Sequence, residues 1–491
     1  MGHRQDFALT EQQLRIVGSR AKRLAVQAGA GAAKTTTLSQ YAAARPGQKV
    51  LYVAFNKAIQ QEAAAKMPPN VVCRTSHSLA YGVARSLFGS QVGVKLGNAY
   101  AASVAREMGC SPLAAAGALQ TIQSWCASLE PDIGMAHVPA HIAQRLADPS
   151  TLVWLARSLW QRMCDPQDLA VRLPHDGYLK LYQLQQPVLA GYDLIAVDEA
   201  QDLNLCTFEI MARQDAAVVM VGDAAQGIYA FRGATNALAL LDAEERLPLT
   251  QSFRFGRGIA ALANALLGHF RGADHQPLVG AGMPQRTRLT VDVNRPFAVI
   301  ARTNATIFAE AVDFLATGRA YHFVGGTEGY KLDKILDAYF LWVHERHRVR
   351  DPFLRTFMSF GDLESLAEEA DDPELRHLVR VVIDYGHHVP GLIEEIKGRH
   401  ADVPKYRWHE FGGIFLCTAH KSKGLEFEQV WLADDYLRFY KDGIELAPQE
   451  VEPQEVNILY VALTRARAAI RLCASFEEWL RQRKLMPTEW N

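Results

Sequence analysis

Short, continuously apolar runs recur along the chain, and a cluster of Gly, Asp or Thr follows each of them. A strand buried on both faces has such a run, whereas a strand with one solvated face alternates apolar and polar positions. The pattern therefore predicts strands of parallel sheets, joined by helices, at Leu24–Ala28, Lys49–Phe55, Tyr192–Val197, Ala217–Val221, Phe297–Arg302, Ile414–Thr418 and Gln429–Ala433.

Two longer stretches have helical spacing of their apolar residues. The first runs from about Val83 to Lys180 and is rich in Ala, Leu and Gln, with the clearest periodicity in Pro112–Leu129 and Ala140–Trp160. The second is more charged and runs from about Asp333 to Lys397. Because strand-like runs flank both stretches, we predict two α/β cores, each interrupted by a mainly helical insertion.

Length and composition fit a globular protein of three or four domains, since the chain has 491 residues and a domain has roughly 100–200. Its 52 Lys and Arg residues balance 53 Asp and Glu residues, so overall charge gives no argument for a nucleic acid partner. The seven cysteines form no CxxC pair, the first residues are polar, and no run of 18 apolar residues occurs. We therefore expect a cytoplasmic protein with reduced thiols and no membrane partner.

A glycine-rich turn follows the first predicted strand and opens a helix; it contains Gly29, Gly31, Ala33, Lys34 and Thr35. Such a turn offers unpaired backbone N–H groups to phosphate, and its lysine and hydroxyl reach the β/γ-phosphates and Mg²⁺. Glycine usually precedes the lysine. If that position requires a positive φ, Ala33 costs about 1–2 kcal/mol. The alternative is a plain turn between a strand and a helix.

Two acids, Asp198 and Glu199, come directly after another predicted strand. A carboxylate at that place can hold Mg²⁺, usually through water, and its neighbour can orient and deprotonate an attacking water. A solvated loop is the alternative, but it does not explain two acids at the end of an apolar strand, downstream of a phosphate-binding turn. The pair therefore favours hydrolysis of ATP with Mg²⁺.

The segment DEAQD (Asp198–Asp202) resembles motif II of superfamily-one helicases of the UvrD/Rep group. The other motifs of that group follow in its order: TEQQ (Thr10–Gln13), VAFNKAI (Val53–Ile59), TSHSLAY (Thr75–Tyr81), GDAAQGIYAFRGA (Gly222–Ala234), LTQSFRF (Leu249–Phe255), TAHKSKGLEF (Thr418–Phe427) and EVNILYVALTRAR (Glu455–Arg467). They span nearly the whole chain, and motif III (Gly222–Ala234) and motif VI (Glu455–Arg467) are too long for coincidence.

Within the group, four segments look most like the F-box DNA helicase and its bacterial and phage relatives: AFNKAI, TSHSLAY, HDGYLK (His175–Lys180) and DPFLRTFMS (Asp351–Ser359). No segment of F-box size precedes TEQQ, so we expect the chain to correspond to the helicase part alone. The expected source is a bacterium or a phage.

The resemblance implies two RecA-like P-loop NTPase domains with parallel sheets flanked by helices, each with a mainly helical insertion. We place the first core in residues 1–84 and 181–247, with its insertion in 85–180. The second core takes residues 248–326 and 411–491, with a short insertion in 327–410. In larger relatives this second insertion regulates unwinding, so the resemblance supports translocation more directly than unwinding.

In that group ATP lies between the two domains. The resemblance implies that Gln13 contacts adenine, that Phe253 stacks on it in place of the usual Tyr, and that Glu426 contacts the sugar. Gln226 is the γ-phosphate sensor, and Arg254 and Arg465 are arginine fingers that stabilise the transferring phosphoryl group. Lys34 and Glu199 complete the catalytic set, Thr35 and Asp198 hold Mg²⁺, and the nucleotide also contacts Gly29, Gly31, Ala33 and Thr36, the last where relatives have Arg.

For DNA, the resemblance implies tracking of a single strand by base stacking and phosphate contacts, without sequence-specific readout. The stacking candidates are Tyr229 and Phe231. Phe55 is a further candidate DNA contact, and the candidate contacts to the DNA backbone are Asn56, Lys57, His77, Arg232 and His420. Each of these residues, taken alone, has an equally acceptable structural interpretation.

Together these expectations describe an ATP-driven motor that moves 3′→5′ on single-stranded DNA, strips bound protein and unwinds duplex at single-strand/double-strand junctions. They leave open a switch module that binds ATP and DNA but hydrolyses poorly because of Ala33. A P-loop kinase fits less well, because it needs neither the paired arginines nor motif III. The sequence does not distinguish repair, recombination, replication or antiviral defence, and it leaves room for an accessory protein subunit.

Overall fold

The structure is a computed structural model that describes residues 8–144, 148–230, 233–272, 275–351, 353–369 and 373–486. The chain divides into two compact units, Met1–Gln251 and Ser252–Asn491. Each unit contains a parallel sheet flanked by helices, which confirms the predicted α/β class. No helix in the described part of the chain is both long and apolar enough to cross a membrane.

Six parallel strands form the sheet of the first unit: β1 (Arg23–Ala28), β2 (Val50–Ala54), β3 (Val71–Thr75), β4 (Leu194–Val197), β5 (Ala217–Gly222) and β6 (Glu245–Leu249). Their order is β3-β2-β4-β5-β1-β6. β2 and β4 are buried at every position, as their continuous apolar runs require. The apolar pattern misses β3 and β6, because Arg74 interrupts the first and Glu245 and Arg246 begin the second.

The helices of this unit are α1 (Glu11–Gly18), α2 (Lys34–Ala43), α3 (Lys57–Ala64), α4 (Ser76–Phe88), α5 (Val92–Lys95), α6 (Ala101–Met108), α7 (Pro112–Ala127), α8 (Ala140–Ala143), α9 (Ser150–Cys164), α10 (His175–Leu184), α11 (Leu205–Ala212) and α12 (Ala237–Leu240). The predicted helical stretch Ala140–Trp160 is two helices, α8 and α9. Pro149 and Asp148 begin the second: a proline disfavours continuation of a helix through it, and Asp148 Oδ1 accepts the N–H of Ser150 at 2.9 Å.

Two lysines of the first helical insertion are completely buried. Lys95 Nζ donates to the carbonyl oxygens of Arg162 at 2.9 Å and Val171 at 2.8 Å, and also to that of Asp168. Lys180 Nζ donates to the carbonyl oxygen of Ser128 at 3.0 Å. Both cations therefore hold loops and helices of the insertion together.

The second unit contains α13 (Arg257–Arg271), α14 (Asn304–Asp313), α15 (Leu332–Trp342), α16 (Phe360–Glu369), α17 (Pro373–Tyr385), α18 (Val389–Arg399), α19 (Ala419–Ser422), α20 (Pro453–Leu463) and α21 (Ala474–Gln482). Its strands are β8 (Val279–Gly280), β9 (Phe297–Ala301), β10 (Tyr321–Phe323), β11 (Ile414–Thr418), β12 (Phe427–Leu432), β13 (Tyr440–Lys441), β14 (Ile444–Glu445) and β15 (Ala466–Arg471), while the two-residue β7 (Gln251–Ser252) lies at the boundary of the units. The parallel sheet has the order β10-β11-β9-β12-β15. The four predicted ranges for cores and insertions stay predictions.

Hydrogen bonds of the segment DPFLRTFMS stabilise the second helical stretch. Asp351 Oδ1 accepts the N–H groups of Phe353 at 2.9 Å and Leu354 at 3.0 Å. Asp337 Oδ2, on α15, accepts the N–H of Asp351 at 2.7 Å. These bonds fix the loop between α15 and α16, which is a structural role for this segment.

Candidate active site and nucleic-acid cleft

The glycine-rich turn joins β1 to α2 in the first unit. Gly29 N donates to the carbonyl oxygen of Leu249 at 2.9 Å and so ties the turn to β6. Gly31 has a φ of +73°, and Ala33 has a φ of +58° with a ψ of +40°. Ala33 is therefore left-handed, which costs a residue with a Cβ about 1–2 kcal/mol. No side chain caps the N-terminus of α2, an arrangement suited to binding an anion.

The predicted catalytic groups from the turn and from the end of β4 meet directly. Lys34 Nζ lies 3.2 Å from Glu199 Oε1. Thr35 Oγ1 donates to Asp198 Oδ2 at 2.7 Å, and the Tyr52 hydroxyl of β2 donates to the same oxygen at 2.7 Å. Glu199 has a φ of +53°, so it too adopts the left-handed conformation. Strained backbone of this kind concentrates at functional sites.

Burial and charge act in opposite directions on this cluster. Burial alone lowers the pKa of Lys34, but the carboxylates of Glu199, Asp223 and Asp198 outweigh it and raise that pKa, so the ammonium keeps its charge. Burial, and after it the charge of Glu199, raises the pKa of the Asp198 carboxyl. A cation placed beside Asp198 would lower this pKa, because it would stabilise the charged carboxylate.

A chain of hydrogen bonds, one of them donated by the backbone N–H of Asp223, runs from Glu199 to motif III. Gln201 Nε2 donates to Glu199 Oε2 at 2.5 Å, and Gln201 Oε1 accepts the N–H of Asp223 at 2.9 Å. Gln226 Nε2 then donates to Asp223 Oδ2 at 2.7 Å. A Cβ at Gly222 would lie 2.5 Å from Gln201 Oε1, so only glycine leaves room for this link.

The residues of the cluster fit a nucleotide with Mg²⁺. In the described part of the chain no group of three or more His, Cys, Asp or Glu side chains converges as a metal cage. Mg²⁺ in nucleotide sites typically takes one or two protein oxygens and fills its shell with water and phosphate. Thr35 Oγ1 and the Asp198 carboxylate are such a pair, and Lys34 stands beside them for the phosphates.

Gln13 and Thr36 take different positions around the turn. Gln13 is 3% exposed, and its Oε1 accepts the N–H of Thr10 at 3.0 Å while its Nε2 donates to Thr37 Oγ1 at 3.0 Å. It therefore joins the start of α1 to α2, as well as being the candidate adenine contact. Thr36 is exposed in the first turn of α2.

In the second unit, Arg254 and Glu426 form a pair. Arg254 Nε donates to Glu426 Oε2 at 3.1 Å, and Arg254 Nη1 donates to the carbonyl oxygen of Thr464 at 3.1 Å. Phe253 is 45% exposed. His420 is half-buried in α19.

Arg465 differs from an exposed arginine finger, because it is 0% exposed. It donates to the carbonyl oxygens of Val461 at 2.8 Å and Leu425 at 3.1 Å, and to Thr464 Oγ1 at 3.2 Å. Contact with a phosphate would have to replace some of these bonds. The motif alone gave no sign of this burial.

Four of the DNA candidates of the first unit, Phe55, Asn56, His77 and Tyr229, line a cleft of about 720 Å³ between the sheet and the helical insertion. Phe55 and Tyr229 stack at its side, with ring centroids 5.5 Å apart and planes at 15°. His77 Nε2 lies 3.2 Å from Asp176 Oδ1. Asn56 Oδ1 accepts the N–H of Ile59 at 2.9 Å and caps α3, while Lys57 is exposed beside it. Phe231 and Arg232 lie outside the described residues.

Comparison with known proteins agrees with this geometry. Residues 142–246 match the model of the UvrD/REP helicase N-terminal domain, and residues 393–476 match that of the UvrD-like helicase C-terminal domain. The chain is 32% identical to F-box DNA helicase 1 of Gallus gallus over 97% of its own length and 51% of that protein.

The chain thus contains segments similar to both the N-terminal and the C-terminal domain of UvrD-like helicases. It is 31% identical to F-box DNA helicase protein 1 of Schizosaccharomyces pombe over 91% of this chain and 55% of that protein. It is 25% identical to the ATP-dependent DNA helicase UvrD2 of Mycobacterium tuberculosis over 57% of this chain and 47% of that protein. The chain thus spans about half the length of the curated relatives it matches.

Three residues of this candidate site were missed in the sequence: Tyr52, Gln201 and Asp223. Tyr52 lies inside an apolar strand, where a tyrosine usually indicates core packing. Gln201 and Asp223 stand within motifs II and III, next to residues that were named. The available signal was that Gln201 and Asp223 are polar and stand close to residues predicted to be catalytic. Only the fold shows that they belong to one chain of hydrogen bonds.

Proposed function

We propose that the chain is an ATP-driven motor that moves 3′→5′ along single-stranded DNA, displacing bound protein and opening duplex at junctions. The observation that carries the proposal is the bonded chain Lys34–Glu199–Gln201–Asp223–Gln226 in the first unit. It joins the phosphate-binding turn to the segment that also contains Tyr229, a candidate base platform. A change at the phosphate is therefore transmitted to the DNA side through one continuous segment.

In the proposed reaction, Lys34 and the N-terminus of α2 bind the phosphates of ATP, and Thr35 and Asp198 hold Mg²⁺. Mg²⁺, when bound, neutralises charge on the phosphate oxygens. Glu199 accepts the proton of the attacking water, and Gln226 contacts the γ-phosphate. Arg254 and Arg465 supply the positive charge that the transition state requires.

The proposed DNA contact is stacking on the pair Phe55 and Tyr229. A base inserted between two parallel rings needs about twice the roughly 3.4 Å thickness of a stacked layer, whereas these centroids are 5.5 Å apart. The pair must therefore separate, or present one outer face, to take a base. Stacking is tolerant of sequence, which suits a motor.

The test is ATP hydrolysis with and without a single-stranded oligonucleotide. We expect turnover to rise strongly with the oligonucleotide, and streptavidin to be displaced from a biotin at the 5′ end but not at the 3′ end, since the motor runs toward the 5′ end. A rate that ignores saturating oligonucleotide contradicts the motor, and displacement at the 3′ end alone reverses the polarity.

One observation favours a second candidate, a switch that binds ATP and DNA but hydrolyses poorly. Ala33 is left-handed in the phosphate-binding turn, where glycine is free of strain. An inert natural chain that becomes active as Ala33→Gly would replace the motor with the switch.

The cellular setting follows from the same proposal. The partners are single-stranded DNA and single-strand/double-strand junctions, and an accessory protein is compatible with the half-length match to the relatives. The two relatives that align over most of the chain are from chicken and fission yeast. They give no support to the expected bacterial or phage source, nor do they assign a pathway.

A further inference from the structure

The segment HDGYLK forms a wall of the cleft in the first unit, and its role is not explained by the nucleotide site. His175 and Asp176 line the cleft together with His77 of motif Ib. Asp176 Oδ1 lies 3.2 Å from His77 Nε2, across 99 positions of sequence. Tyr178 packs edge-on against His77, at 5.8 Å between centroids, and against Tyr81, at 6.1 Å. The insertion and motif Ib are thus joined at the cleft surface.

The rest of the segment fixes this wall in place. A Cβ at Gly177 would lie 2.6 Å from Leu173 Cδ1, so the helix packs closely there. Lys180 is fully buried and donates to the carbonyl oxygen of Ser128 at 3.0 Å. Consequently α10 is anchored behind the cleft, and His175 and Asp176 are presented on its front.

The chemistry of the lining favours bases over phosphates. Among the lining residues that the structure describes, none is Lys or Arg, whereas Asp176, Asp198 and Asp202 are acidic. Amides and aromatic rings, including Asn56, Asn98 and Tyr100, make up much of the remainder. Amide and hydroxyl groups can contact either a base or a phosphate. The described lining lacks the Lys and Arg side chains that neutralise phosphates, and its carboxylates repel a phosphate.

The hydrogen bond with Asp176 also bears on which ring nitrogen of His77 is left to accept a hydrogen bond. When Asp176 accepts the Nε2–H of a neutral imidazole, the other nitrogen, Nδ1, is an acceptor. A lone pair there and a carboxylate oxygen beside it match the N–H and amino groups on base edges. A phosphodiester has no such donor.

We propose that Asp176 is a positioning residue for His77, and that these two residues with His175 form a surface that contacts the bases, not the phosphates, of single-stranded DNA. This inference rests on the proposed DNA-dependent function. It assigns to HDGYLK the part of the cleft that accepts base edges, in the same cleft as the stacking platform of Phe55 and Tyr229.

The experiment compares the full chain with Asp176→Asn, which keeps size and removes charge. Binding of a fluorescent oligonucleotide and its half-saturating concentration in ATP hydrolysis are measured, with a normal and an abasic oligonucleotide of equal length. We expect Asp176→Asn to weaken binding of the normal strand about three- to tenfold, with maximal turnover unchanged. The abasic strand should bind both proteins with closely similar affinity.

Controls separate this role from a merely structural one. Glu62→Gln removes a carboxylate from an exposed pair with Lys66, 2.7 Å apart, and should change nothing. Asp176→Glu should restore part of the binding, and His77→Gln combined with Asp176→Asn should cost less than the sum of the two single changes. We expect Asp176→Asn to have the same thermal unfolding midpoint as the natural chain.

The sign of the effect is decisive. Tighter binding by Asp176→Asn means that a phosphate lies against the carboxylate, and this overturns the proposal, as does unchanged binding or an equal loss with the abasic strand. A lowered unfolding midpoint with parallel loss of turnover assigns Asp176 a structural role instead. If the natural chain binds DNA without DNA-stimulated hydrolysis, the motor proposal fails and the base surface is judged on binding alone; if it binds no DNA, both fail.

Discussion

Lys34 Nζ lies 3.2 Å from Glu199 Oε1, so the cation of the phosphate-binding turn and the proposed catalytic base neutralise each other. A γ-phosphate competes with Glu199 for this ammonium. We infer that binding of ATP draws Lys34 away and leaves Glu199 held by Gln201, ready to accept a proton. The pair therefore links arrival of the nucleotide to activation of the base.

We expect Glu199→Gln to bind ATP but to lose hydrolysis by a factor of about 10²–10⁴, because it removes only the proton acceptor. Binding of a fluorescent ATP analogue and DNA-stimulated turnover are the two measurements. Lys34→Ala is the matched comparison and should lose both. Turnover within a few-fold of the natural chain in Glu199→Gln means that another group activates the water.

We expect Ala33→Gly to raise the free energy of unfolding by about 1 kcal/mol, because glycine adopts the left-handed conformation without strain. Nucleotide affinity should change by no more than about tenfold and maximal turnover should stay similar. Urea unfolding and a nucleotide titration measure both. Ala32→Gly, next to it without a positive φ, should instead destabilise the chain.

We expect Arg465→Ala to lower both stability and activity. The change removes the three hydrogen bonds that the guanidinium donates to the carbonyl oxygens of Val461 and Leu425 and to Thr464 Oγ1, at a cost on the order of 3 kcal/mol. In its proposed role as an arginine finger, Arg465 should also contribute about 10³–10⁵ in rate. Turnover is therefore measured at a temperature where circular dichroism shows the variant folded, with Arg481→Ala, an exposed arginine of α21, as the control. Stability loss without rate loss would restrict Arg465 to a structural role.

We expect Glu310→Gln to stabilise the chain above neutral pH. Burial, and then the charges of Asp313, Asp434 and Asp435, raise the pKa of Glu310 to about 7 from 4.5. Between pH 4.5 and 7 the folded state keeps a proton that the unfolded state releases, so unfolding free energy falls as pH rises through that window. The variant should gain about 1–2 kcal/mol at pH near 8, allowing for partial exposure, and little near pH 4.5.

Urea unfolding of both proteins across this range measures the difference. Glu428→Gln, on the exposed side of β12, should leave the pH dependence as it is. A constant difference between Glu310→Gln and the natural chain at all pH values contradicts a shifted titration at this position.

The sequence indicated those parts of the fold and site that are local. β11 was predicted with its observed bounds, since its five positions are all buried and the first four are apolar. Lys34, Asp198 and Glu199 were recognisable because each follows a strand within a short segment. The left-handed Ala33 was foreseen only as a condition, because its φ is set by how β1 and α2 meet.

Long-range contacts were not predictable in the same way. The burial of Arg465 depends on the carbonyl oxygen of Leu425, 40 positions earlier in the chain. The bond between Tyr52 and Asp198 joins residues 146 positions apart. Neither pairing produces a periodic pattern of apolar and polar positions in the sequence. Each joins single side chains that the parallel sheet or the packing of helices brings together.

The described lining of the cleft, without Lys or Arg, has a consequence for how binding responds to ionic strength. Salt weakens protein–DNA association because cationic groups release condensed counterions from the phosphates, and each neutralised phosphate adds to the slope of affinity against salt. A base-contacting surface built from imidazole, carboxylate, amide and aromatic groups neutralises no phosphate and so releases no counterions. A salt titration of this protein will therefore report only on contacts elsewhere, and the cleft will contribute a constant, salt-independent part of the affinity.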